Sequence, residues 1–227
     1  MNQEELNEIL RLHKLWLADS PEGIYADLNR VDLRETDLRE TDLREVNLSE
    51  TNLREVDLCR ANLRGANLRE ADLYGADLYG VDLYGANLFG VDLRGTNLYG
   101  VDLRGANLQG ADLRGVDLRG ANLKGVNLEG ANLDGANFEG IDLREVNLRE
   151  ADLRRANLRR TNLYGADLYR VDFYGADLEG TNLRGADLQE VNLQGANLEG
   201  ANLKNAYLEG AIIEDNNMNR NKANIKS

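Results

Sequence analysis

Residues 26–45 read ADLNR VDLRE TDLRE TDLRE, and the spacing in that line decides the fold. Leu28, Leu33, Leu38 and Leu43 recur every fifth residue, each preceded by Asp and, one place earlier, by Ala26, Val31, Thr36 or Thr41. The pattern runs without insertion or deletion to Asp215, 38 units in all. With the leucine position taken as i, it is Leu in 35 units and Phe138, Phe173 or Ile213 in the rest. Position i-2 is always Ala, Val, Thr or Ile, i-1 is Asp or Asn in 36 units, and i+2 holds 22 of the 23 glycines. A helix would space its apolar residues by three, four and seven, and a long strand by two. A period of five fits neither. It fits a short extended segment, in which i-2 and i point the same way, followed by a corner. Glycine at i+2 suits the third residue of a type II turn, where φ is positive. The expected fold is an all-β solenoid: a polygonal coil with one unit per side, leucines stacked inside, and each rung bonded to its neighbours.

These tandem A(D/N)LXX units resemble the pentapeptide-repeat proteins over 190 of the 227 residues. The resemblance implies a right-handed quadrilateral parallel β-helix with four units per square turn. The units would then make about 9.5 rungs, a rod roughly 45 Å long at about 4.8 Å per rung. Two stretches have no glycine at i+2: the units ending Arg30 to Arg60 and those ending Glu145 to Arg160. Glu and Arg resist positive φ, so corners other than type II are expected there. Phe138 and Phe173 are expected inside, with Ala136 making room for the first.

The ends of such a coil need covers. Asn2 to Ala18 reads as an amphipathic helix, N-capped by Asn2 with Glu5 three residues on, and with Leu6, Ile9, Leu10, His13, Trp16 and Leu17 on one face. Pro21-Glu22-Gly23 supplies a turn. Trp16 is expected as the lid on the first leucine layer. The stretch Glu5 to Leu17 also looks like the N-terminal caps of Firmicute and phage members of the family. The chain is therefore divided into a capping helix and turn (1–25), the solenoid (26–215) and an Asn- and Lys-rich tail (216–227).

Composition excludes several functions. A net charge of -13 argues against direct nucleic-acid binding. A single Cys59 makes neither an intrachain disulfide nor a zinc site. No basic leader and no long apolar run marks a signal or a membrane span, so a cytoplasmic, monomeric protein is expected. His13 is the only histidine and belongs to the helix, remote from Ser49 and Cys59, so no nucleophile has a base, and no catalytic residue, cofactor or metal is assigned. Asp and Asn are equally frequent at i-1, so that position demands a small polar residue rather than a charge. The side with Asn47, Asn67, Asn87, Asn107, Asn127 and Asn147 is expected to form a hydrogen-bonding ladder.

The outward i+1 residues vary most, and specificity is expected there. Tyr74, Tyr79, Tyr84 and Phe89 wrap one rung, and Tyr164, Tyr169 and Tyr174 wrap most of another. One side carries Arg104, Lys124 and Arg144 in sequence, largely neutralised by neighbouring Asp residues. These ten residues form the candidate interaction surface. Two functions follow. The first is a non-catalytic rigid scaffold for an unidentified protein partner. The second, implied by the resemblance, is mimicry of B-DNA toward type II topoisomerase, with DNA gyrase as partner and gyrase inhibition or fluoroquinolone protection as outcome. The repeats hold 22 basic and 35 acidic residues, a net charge about half that of an equal length of duplex at one charge per ~1.7 Å.

Overall fold

The structure, a computed structural model, describes residues 1–213. The tail from 216 onward lies outside the described residues. Parallel bridges join nearly all i-1 residues to the one twenty places on, as in Asp27 to Asn47, Asn47 to Asn67 and Asn67 to Asn87. Four units therefore close one turn, and the i+1 residues fall into four columns. In chain order these sides begin with Asn29, Arg34, Arg39 and Arg44. The first to fourth sides are named in that order below.

Each unit bonds upward and inward by the same rule. The N–H of Leu28 donates to the carbonyl of Asn47 at 2.8 Å, and the N–H of Asn47 donates back to Ala26 at 3.1 Å. The corner closes with Val31 N–H on the Leu28 carbonyl at 3.2 Å. Only three residues per unit are extended before the corner begins. The expected all-β character consequently takes the form of isolated bridges, and no continuous strand occurs among the described residues.

The leucines from Leu28 to Leu203 are buried to 2% exposure or less, as are Phe138 and Phe173 at 0%. Each such side chain is worth about 1.5–3 kcal/mol gross, offset by chain entropy of similar total size. Threonines that replace Ala or Val at i-2 satisfy their hydroxyls on carbonyls: Thr51 Oγ1 donates to Leu28 at 2.8 Å and Thr161 Oγ1 to Phe138 at 2.8 Å. Among the described residues no buried side-chain polar atom lacks a partner.

The expected change of corner type is overturned at every corner of the two stretches but Glu35. Fourteen corner residues other than glycine, including Arg30, Glu40, Glu45, Glu50, Glu55, Arg60, Glu145 and Arg160, hold φ between 55° and 62°. The residue before each keeps negative φ, so these corners are type II like the glycine ones. The rung above supplies the reason. The N–H of Glu45 donates to Arg64 at 2.9 Å, that of Glu50 to Arg69 at 2.8 Å, and that of Arg160 to Glu179 at 2.9 Å. Glu35 is instructive because it makes no such bond and does not take positive φ.

Helix α1 spans Gln3–Trp16, with Asn2 as N-cap and a complete capping box with Glu5. It is tied to the coil by Gln3, whose amide oxygen accepts the Asp37 N–H at 2.8 Å. Trp16 is not the lid. Leu6, buried at 0%, joins the leucine core, and His13 is equally buried. Trp16 is half-buried, with its ring stacked on His13 at 5.3 Å and edge-on to Tyr25 at 5.1 Å. Leu6 is thus the side chain of α1 that closes on the leucine core, while Trp16 packs with His13 and Tyr25 beside it. Gly23 packs against the end of α1, where a Cβ would fall 2.2 Å from the Trp16 nitrogen.

Candidate functional site

The outward layer is built by two side-chain rules, both starting from i-1. The first is local. The Asp or Asn Oδ1 accepts the backbone N–H of i+1 in its own unit, as in Tyr74 to Asp72 at 3.0 Å and Phe89 to Asn87 at 3.3 Å. That N–H would otherwise have no partner in the coil, which is why Asp and Asn serve equally well. Where Asn stands one turn above Asn, or above an Asp that no arginine of its own unit grips, the amide also donates downward. Asn47 gives its Nδ2 to Asp27 at 2.7 Å, Asn67 to Asn47 at 3.0 Å, and the bonds continue through Asn87, Asn107 and Asn127 to Asn147. The expected ladder is present on the first side.

The second rule decides what an arginine at i+1 does. In Asp-Leu-Arg units the guanidinium folds back onto its own Asp. Arg104 grips Asp102 through Nε at 2.8 Å and Nη2 at 2.5 Å, and Arg144 grips Asp142 at 2.9 and 2.7 Å. Arg34, Arg39, Arg44, Arg94, Arg114, Arg119 and Arg154 do the same. The arginine hydrogen bond lowers the Asp32 and Asp37 pKa values to about 2 and holds Asp92, Asp102 and Asp142 below the ordinary range. In Asn-Leu-Arg units there is no carboxylate to grip, and Arg54, Arg64, Arg149 and Arg159 reach the next rung's Asp instead.

The candidate residues divide accordingly. Tyr74 lies between Arg54 at 4.6 Å and Arg94 at 5.4 Å, and Tyr84 between Arg64 at 4.6 Å and Arg104 at 5.4 Å. Phe89 is covered by Arg69, Tyr164 by Arg184, and Tyr169 by Arg149 and Arg170. Tyr169 also donates its hydroxyl to Glu190 at 3.0 Å. Tyr79 and Tyr99 stack with each other, and Tyr174 is exposed. The belt Tyr74, Tyr79, Tyr84, Phe89 thus occupies four different sides and never meets as one surface. Tyr84, Arg104, Lys124, Arg144 and Tyr164 do form one column, on the fourth side. Lys124, Arg144 and Tyr164 line a shallow groove there with Asn122, Asp142 and Glu145. Sequence reasoning missed Tyr99 and, Arg104 apart, the role of the arginines that cover the rings; for Arg54, Arg64, Arg69 and Arg149 the signal was the Asn two residues before each.

Two groups bear on chemistry. His13 receives the Ala26 N–H on Nδ1 at 3.1 Å and therefore donates from Nε2 to the Arg44 carbonyl at 2.7 Å. Both ring nitrogens are consumed in holding α1 to the coil. Asp57, Cys59 and Asp77 bring one oxygen or sulfur each within 4.8 Å of one another. Burial and the two carboxylates push the Cys59 thiol up to about 12, so it stays protonated and offers neither a nucleophile nor a thiolate ligand. Among the described residues no helix is long and apolar enough to cross a membrane.

Comparison with known proteins agrees with this geometry. The family model "Pentapeptide repeats" matches in eight copies, in overlapping stretches from 26–65 to 181–219. HetL, a pentapeptide repeat protein involved in heterocyst differentiation regulation from the cyanobacterium Nostoc sp. strain PCC 7120, is 42% identical, with 84% of this chain and 86% of that chain covered at a TM-score of 0.56. QnrB1, a plasmid-mediated fluoroquinolone resistance protein, is 16% identical in a trypsin-treated variant form, with 89% of this chain and 98% of that chain covered at a TM-score of 0.66. That second likeness is one of fold. No curated protein matches the chain significantly.

Proposed function

The chain belongs to the pentapeptide-repeat family, whose fold is a right-handed β-helical solenoid, and from that footing we propose that it is a non-catalytic rigid scaffold whose i+1 side chains are read by a protein partner. One observation carries this reading: most outward arginines and aromatics are already fixed, either by the Asp of their own unit, as Arg104 is by Asp102, or by neighbouring rungs, as Tyr84 is between Arg64 and Arg104. Such a surface is preorganised and loses little side-chain freedom on binding. Replacing Tyr84, Arg104, Lys124 and Arg144 together by Ser, and separately the equivalent column of each other side, tests it. Partner capture lost from one side alone, with the melting temperature held within a few degrees, supports the scaffold. Capture unaffected by all four replacements removes it.

A second reading, mimicry of B-DNA toward a type II topoisomerase, is favoured by charge. Three sides carry more acid than base, whereas the fourth carries seven basic residues against six acidic ones. It ranks second because the Asp-Leu-Arg chelates neutralise many of the carboxylates where they stand. Gyrase supercoiling assayed with purified protein, with and without a fluoroquinolone, separates the two: inhibition or drug protection at low micromolar protein favours mimicry.

A further inference from the structure

Five units combine Asp at i-1 with Tyr at i+1: Asp72/Tyr74, Asp77/Tyr79, Asp82/Tyr84, Asp167/Tyr169 and Asp172/Tyr174. Three of them receive an arginine from the rung below in one geometry. Arg54 lies 4.6 Å from the Tyr74 ring centre and gives Nη1 to Asp72 at 3.1 Å. Arg64 does the same to Tyr84 at 4.6 Å and Asp82 at 3.3 Å. Arg149 does so to Tyr169 at 4.5 Å and Asp167 at 3.2 Å. Each arginine comes from an Asn-Leu-Arg unit one turn earlier, and each pairs a charge-assisted hydrogen bond with a cation over a ring face. At Asp172/Tyr174 the arginine below, Arg154, is held by its own Asp152 and stays 4.0 Å from Asp172.

Asp77/Tyr79 differs from all of these. The residue one turn below Tyr79 is Cys59, too short to reach the ring. Tyr79 is 43% exposed and Tyr99 above it 54%, their rings parallel at 6.2 Å. Among the described residues no cation of this chain covers either ring. Asp77 enters no ion pair there, and Asp57 has only Arg39 at 3.9 Å, already engaged by Asp37. The corners beside Tyr79 and Tyr99 are Gly80 and Gly100, which add no side chain over the rings, and the corner below them, Arg60, is paired with Glu40 at 3.6 Å.

We propose that Asp77 and Tyr79, extended by Tyr99 and Asp57, form an open arginine receptor that takes a guanidinium from an arginine-bearing segment of a partner protein. The inference rests on the scaffold reading and deepens it by naming the site and the chemistry of what it reads. The argument is complementarity of charge and shape: two carboxylates and two bare ring faces stand where the fold elsewhere places its own arginine. Arginine is favoured over lysine because its planar fork addresses the carboxylate while its face covers the ring.

The test uses the full chain labelled with 13C in its tyrosine rings, titrated at 150 mM salt with a peptide alternating five arginines with glycine, and with its lysine counterpart. The Tyr79 and Tyr99 ring signals should shift with the arginine peptide, at about fivefold lower concentration than with the lysine peptide. The side-chain rule supplies the decisive variants. Asp57→Asn with Cys59→Arg creates an Asn-Leu-Arg unit whose arginine should fill the receptor and abolish the response. Cys59→Arg alone leaves an Asp-Leu-Arg unit, whose arginine grips Asp57, and the response should persist, weakened by charge. Shifts spread evenly over all tyrosines, or a double variant that titrates like the parent, would overturn the receptor. Neither result touches the scaffold reading, which stands or falls on the side-by-side capture experiment.

Discussion

The units of residues 26–60 and those of residues 71–140 trace the same backbone at every corner but Glu35, with opposite corner chemistry. In the first stretch every i+2 residue is charged, and in the second every one is glycine. Glycine corners take positive φ with no Cβ penalty, whereas at each charged corner that adopts it, all but Glu35, it costs roughly 1–2 kcal/mol. The charged corners recover part of that through ion pairs with the corner above or below, Arg30 with Glu50 and Arg60 with Glu40. The glycine stretch has no such pairs between its own corners, and charged corners reach its i+1 residues only from its margin, as where Arg155 pairs with Asp134 and Glu145 lines the groove of Lys124. Charged corners thus make the first rungs a self-satisfied surface near α1, and glycine corners make the middle a surface open to others. Tyr79 and Tyr99 fall in the open part, and the Lys124 groove begins there and runs past it to Glu145 and Tyr164.

The largest test is a charge in the leucine stack. Leu113→Asp, in the middle stretch, buries an uncompensated carboxylate and should cost about 3–5 kcal/mol or more, with loss of a single cooperative thermal transition. An unchanged melt would overturn the inward assignment. Leu6→Ala removes the side chain that joins α1 to the core and should cost about 2–5 kcal/mol. Its effect should concentrate on hydrogen exchange in the first rungs, leaving the middle protected, and uniform loss would deny that the two regions differ. The corners come next. Glu45→Gly should stabilise by about 1 kcal/mol, and Gly105→Ala, whose added Cβ meets nothing within 4 Å, should destabilise by a similar amount. Equal signs would show that φ is not what separates the regions. The smallest effect is acidic. Asp32 and Asp37 keep folded pKa values near 2 against an ordinary 3.8, so their contribution is complete above pH 4 and lost as pH falls toward 2. The melting temperature should drop across that window, and Arg34→Gln with Arg39→Gln should flatten the drop.

Much of the fold was legible because the repeat permits one reading. Leu28 to Leu203 had to face inward, Asn2 and Glu5 formed the capping box their spacing implied, and Asn47 to Asn147 formed their ladder. The corners were misread because local propensity for Glu45 or Arg160 is weak against a backbone bond to the next rung. Trp16 was misread because hydrophobic spacing on a helix gives a face but not which side chain fits the layer below it. The site was less legible still. Whether an arginine closes on itself or reaches upward depends on the residue two before it and on the residues 18 and 20 after it, a comparison that becomes meaningful only once the turn is known to hold twenty residues.

The asparagine stack on the first side has a direction. Every amide from Asn47 to Asn147 donates toward the start of the chain, and each but Asn147 accepts from the amide above it. Their dipoles therefore add head to tail along the rod, as peptide dipoles do in a helix, each polarising the next. The positive pole rests on the carboxylate of Asp27, an acceptor that has nothing to donate and so can only begin such a series. Asp167, in the place above Asn147, likewise cannot donate and must end it. One edge of the molecule is thus a polar wire with a defined sign, begun and ended by the exchange of an amide for an acid.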